Sequence, residues 1–204
     1  MPRLAFTTFA VLRAPLGDPQ VQGFVDRLAD TFGAADGFEG FVDRSRRDPV
    51  TLRHSWGDPV HPNFHDPARH AGVAFTLSLW RTLESVNAYA YAGVHGEALR
   101  HRTEWFVKPQ WPSYAAWWVA DDHVPDWHEA CRRLEQLHEH GATPRAFDFR
   151  TPFGPDQAPA TIDRDAVREI VRRAAPAPGA QAARQDERDA IVRATMSPRR
   201  DAAG

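Results

Sequence analysis

An α+β fold, built as a split βαβ arrangement with an antiparallel sheet, is what this sequence predicts. Three observations carry the prediction. Short runs rich in β-branched and aromatic residues end at Pro or Gly. Between them, apolar residues recur at helical spacing. The two kinds of segment alternate in the order β-α-β-β-α-β, with one more helix after them.

The first element is RLAFTTFAVLRAP, a strand that ends at Pro15. In the apolar run at the chain start, Thr7 and Thr8 interrupt and Arg13 closes it without a small-residue cleavage site, so it reads as a strand and not as a signal peptide. GDPQVQGFVDRLADTFGAADG follows as a helix. Asp18 is its N-cap and Pro19 its first position. Val21, Phe24, Val25, Leu28 and Phe32 form its apolar stripe, and Gly33 or Gly37 ends it. FEGFVDRS and VTLRHSW are short strand material. GDPVHPNFHDPARH is a loop rich in Pro and His. AGVAFTLSLWR is a strong strand, expected near the centre of the sheet. Thr82 caps a helix that begins LESVNAYAYAG and is expected to run on to Phe106. SYAAWWVA is the last strand, and its alternation sends Trp117 and Trp118 to opposite faces. VPDWHEACRRLEQLHEHG is the final helix, with Leu134 and Leu137 inward and Gly141 beyond its end. This order is the ferredoxin-like one, with helices expected on one face of the sheet and a second copy of the chain over the other.

Residues 1–150 form this domain. After Arg150 the chain turns rich in Ala, Pro and charge, and residues 151–204 read as a helical or disordered extension. DRDAVREIVRRAA and QAARQDERDAIVRAT are its two short helical stretches.

The 204 residues carry a formal net charge of −2, which argues against a nucleic-acid binder. No apolar run of about 18 residues is present, so no membrane span is expected. Cys131 is the only cysteine, which excludes an intrachain disulfide and makes the cytoplasm the expected compartment. Within its helix it reads as a small packing residue. P-loop, dinucleotide and serine-hydrolase signatures are lacking.

One stretch raises a chemical question. In YAYAGVHGEALRHRTEWF, a continuous helix would place Tyr91, His95, Ala98, Leu99, Arg102 and Phe106 on one face. Glu97, His101, Glu104 and Lys108 would form a solvated one. His95 and Arg102 interrupt the apolar stripe, and buried polar groups need partners. Either His95 bonds a backbone carbonyl and Arg102 reaches a carboxylate, or both line a pocket between helix and sheet. In a pocket, His95 is the candidate acid, base or axial metal ligand, Arg102 the anion partner and Trp105 a wall. Trp80, Trp117 and Trp118 read chiefly as packing residues. The loop histidines His54, His61, His65 and His70 are a weaker metal candidate, because prolines break the segment and no cysteine joins them.

RAPLGDP, SLWRTLESVNAYAYAGVHGEALRHRTEWF and AAWWVADDHVPDWHEACRRLEQLHEHGATPRAFDFR together resemble the DUF3291 family over residues 3–150. That family is similar to the dimeric α/β-barrel superfamily, which includes antibiotic-biosynthesis monooxygenases and haem-linked branches. The resemblance implies a homodimer whose sheets pair into a barrel, with a pocket between sheet and second helix in each subunit. It also implies a small organic substrate and oxygenase-like chemistry, with haem as cofactor, His95 on its iron and Arg102 on its propionates. Two other readings stand beside this one: a non-catalytic dimeric ligand-binding or interaction module, and a cofactor-free isomerase or cyclase of secondary metabolism.

Overall fold

The computed structural model of the chain describes residues 1–174. Four strands, β1 (Arg3–Val11), β2 (Phe41–Arg44), β3 (Val73–Trp80) and β4 (Tyr114–Val119), form one sheet in the order β2-β3-β1-β4. Every neighbouring pair is antiparallel. β1 and β2 therefore run in the same direction with β3 between them, and β3 and β4 do so with β1 between them.

β1 is central, and its alternation divides the core. Ala5, Thr7 and Phe9 face one side and are fully buried, while Leu4 and Phe6 face the other. The first side packs Ala5, Leu77, Leu79 and Trp117 against Trp127 and Ala130 of α6 (Trp127–His140) and against Trp56. Phe9 and Ala115 meet Leu134 and Leu137 of the same helix, with Phe64 beside them. The second side packs Leu4, Phe6, Trp80 and Ala116 against Leu83 and Val86 of α3 (Leu83–Tyr91) and against Phe147. Trp117 and Trp118 fall in different clusters, as the alternation requires.

The expectation of helices on one face only is corrected here. The face left for a second copy is covered by this chain's own α6 and by residues from the long connection between β2 and β3. That connection also corrects a second expectation: VTLRHSW forms no strand. The Asp48 carboxylate accepts from the amides of Val50 and Thr51 and from the Thr51 hydroxyl, which folds the chain back on itself. Only a single bridge, between Arg47 and His54, remains.

The first predicted helix forms in two pieces, α1 (Pro19–Val25) and α2 (Leu28–Asp36). Asp18 caps α1 through the Gln20 amide at 2.8 Å, and Gly37 closes α2. The second predicted helix also breaks. α3 is capped by Thr82, which accepts from the Ser85 amide, and it stops at Ala92 in an extended conformation. Gly93 follows at φ +54°, the left-handed region that a residue without Cβ enters at little cost. α4 (Gly93–Arg100) and α5 (Arg102–Trp105) complete this stretch.

Beyond residue 150 the described chain is packed. Phe153, Ala160 and Ile162 lie against the second core face. α7 (Arg164–Arg173) follows, capped by Asp163, with Ile170 buried. QAARQDERDAIVRAT lies outside the described residues.

Candidate functional site

The helix breaks decide the fate of the expected site. A helix end leaves its last carbonyls without intrahelical partners. The His95 ring bonds the Ala90 carbonyl through Nδ1 at 2.8 Å, just where α3 stops. Since a carbonyl only accepts, Nδ1 carries the proton and Nε2 the lone pair of the neutral ring. The ring packs on Tyr89 with centroids 4.8 Å apart. Burial holds its pKa below the ordinary histidine value, and the Ala90 bond only partly opposes that.

Arg102 does the same for the end of α4. Its guanidinium donates to the Leu99 carbonyl at 2.9 Å, and the residue is exposed. The expected burial of Arg102 on a common face with His95 is therefore corrected: α4 ends before it. Trp105 is buried, but against α1 and not beside His95. A Cβ on Gly23 would approach its indole Nε1 to 3.1 Å, and Arg27 lies over its ring at 5.3 Å. His101 is half-exposed and bonds Glu104 at 2.9 Å.

This arrangement tests the fit of haem. His95 has the tautomer of an axial ligand, with Nδ1–H held by a carbonyl. The other two groups do not join it, since Arg102 turns to a backbone carbonyl at the surface and Trp105 packs on a different helix. As a set, the three residues do not fit a haem pocket.

The loop histidines do converge in part. The rings of His61 and His65 are 4.5 Å apart and those of His65 and His70 5.1 Å apart. His70 Nδ1 accepts from the Asp66 amide, and His54 packs edge-on against Trp127. Burial lowers the pKa of His54, His61 and His65, and for His65 the neighbouring His61 and His70 add to it. No grouping of three or more potential ligands able to hold a metal occurs among the described residues. Cys131 is buried, donates to the Val60 carbonyl and has its thiol pushed up to about 12 by burial, so it is a packing residue.

A cleft of about 510 Å³ opens elsewhere, between the end of α3 and the start of β4. Asn87 and Tyr91 come from α3, Trp111 to Tyr114 from the approach to β4, and Asp148 to Arg150 from the segment after α6. Two backbone bonds between Ala116 and Phe147 fix that last segment against the edge of β4. Phe149 is then held among aromatic rings: Phe6 stacks on it at 5.5 Å, Tyr114 lies at 4.9 Å and Tyr91 meets it edge-on at 6.1 Å. The Tyr114 hydroxyl accepts from the Phe149 amide at 3.2 Å. Burial raises its pKa far above the ordinary phenol value, so it stays protonated. Asp148 Oδ1 accepts from the amides of Arg150 and Thr151, at 2.9 and 3.1 Å. Of these lining residues the sequence pointed only to Tyr91, and that as part of an apolar helical stripe. The signal available was the charged pair flanking Phe149 in AFDFR, which pattern alone does not separate from an ordinary turn.

The fold and cleft define an α+β protein with a small-molecule-sized depression between helix and sheet. The chain belongs to the family described as a domain of unknown function (DUF3291), whose model matches residues 3–164. No curated protein and no solved structure matches the chain. Among the described residues, no helix is long and apolar enough to cross a membrane.

Proposed function

We propose that this chain is a small-molecule-binding protein whose site is the cleft between α3 and β4. The observation that carries the reading is the convergence of Asn87, Tyr91, Tyr114 and Phe149 around about 510 Å³, a volume within the usual range of small-ligand pockets. The strand order supports a ferredoxin-like subunit, in which a space between the second helix and the sheet is the natural ligand position. Binding is favoured over catalysis because the cleft brings together no nucleophile paired with a base. Tyr114 is held protonated, and Asp148 is anchored at Oδ1 by two backbone amides. A small-molecule library screened by thermal shift against wild type and Tyr91→Ala tests this. Hits that stabilise wild type and lose their effect in the variant are expected. Hits indifferent to Tyr91 would place the site elsewhere.

The oxygenase-like, haem-linked reading draws on a different observation, the tautomer that Ala90 imposes on His95. It is tested by the optical spectrum of the chain with added hemin, on wild type and His95→Ala. The geometry of Arg102 and Trp105 leads us to expect identical spectra. A Soret band that depends on His95 would restore haem as the cofactor.

A further inference from the structure

Resting on the cleft reading, we infer that the ligand class is a planar aromatic carboxylate, with Arg150 as its anion partner. Two ionic side chains line the cleft, Asp148 and Arg150. Their states differ. The Asp148 carboxylate already accepts two backbone amides, whereas the Arg150 guanidinium is exposed and has no hydrogen bond or ion pair among the described residues. Many arginines elsewhere in the fold are engaged: Arg44 holds Asp36, Arg133 holds Glu129 and Arg173 holds Glu39. An unpaired guanidinium offers a planar fork that matches a carboxylate in two parallel bonds.

The rest of the lining selects a ring. Tyr91 is 57% exposed although its neighbours in the cleft are aromatic, so its face is available to a flat ligand. Phe149 and Trp111 add apolar wall, and offset or edge-on contacts between rings are favourable. Asn87 and Ser113 supply donors and acceptors for a polar substituent on that ring. A ring with an anionic end and a hydroxyl uses all three kinds of group at once.

The test uses 6-hydroxy-2-naphthoate, whose own fluorescence reports binding, against its neutral counterpart 6-hydroxy-2-naphthamide. Anisotropy titrations are run on the full chain as wild type, Arg150→Gln and Tyr91→Ala. Wild type is expected to bind the acid about ten-fold more tightly than the amide, the scale of one charge-assisted contact. Arg150→Gln should lower the acid to the level of the amide and leave the amide unchanged. Tyr91→Ala should weaken both. Equal binding of acid and amide by wild type, or an acid preference that survives Arg150→Gln, overturns the carboxylate assignment while the cleft stands. Failure of both probes to bind, or binding untouched by Tyr91→Ala, removes the cleft and the assignment with it.

Discussion

At the scale of single residues, the polar groups that looked out of place are helix-end partners. His95 and Arg102 each satisfy a carbonyl that a break in the helix releases. That the two interrupt the apolar pattern of the sequence was legible. Its cause was not, because a wheel drawn through Gly93 assumes a continuity that the backbone lacks. Glu129 is a residue with a similar structural burden. Its side chain, 12% exposed, accepts from Trp117 Nε1, His123 and Arg133. Glu129→Ala leaves the buried indole N–H without an acceptor, and a loss of about 1–3 kcal/mol in urea unfolding is expected. Gly40, at φ +79°, is a second such position. A Cβ there would collide with the Ser85 hydroxyl, so Gly40→Ala should lower the melting temperature more than an exposed-site alanine does.

Elements test the break and the loop. If Tyr91 to Phe106 were one helix, Gly93→Ala would stabilise it by up to about 1 kcal/mol. With φ at +54°, Gly93→Ala is instead expected to destabilise by about 1 kcal/mol. The sign of the shift in the urea midpoint decides between the two. The connection between β2 and β3 gives a pH prediction. His54, His61 and His65 have folded pKa values below the ordinary 6.5, mainly through burial. Arg47 adds to this for His54, while Asp58 and Asp66 oppose it for His54 and His65. The unfolded chain therefore takes up protons more readily as pH falls through about 6.5. Their contribution is constant above that value and is lost progressively below it. Urea midpoints at pH 7.5, 6.5 and 5.5 should fall in that order at the acid end, and His65→Gln should flatten the decline.

For the whole molecule, the strands that pair over their full length were legible, because β1 and β3 are long apolar runs bounded by turn residues. Asp18 and Thr82 marked helix starts by their side-chain oxygens, and Gly141 a helix end by its backbone freedom. What pattern did not show was which surfaces meet. Trp56, Val60 and Phe64 sit in a polar, Pro-broken segment, yet they close one face of the sheet. The same applies to Phe153, Ala160 and Ile162, which extend the packed domain past residue 150. Among the described residues, segments of this chain lie over both faces of the sheet, which leaves less of either face for a second copy to stack on. Sedimentation equilibrium over a wide concentration range should yield a monomer, and a stable dimer would restore the paired-sheet reading.

The outer rim of the sheet carries its own safeguard. β2 is four residues long, its register slips between Phe41 and Asp43, and Asp43 and Arg44 mark it with charge. A foreign strand needs a long, flat and apolar border to zip against. This one is short, bent and charged, so it gives fibril growth no template on that side.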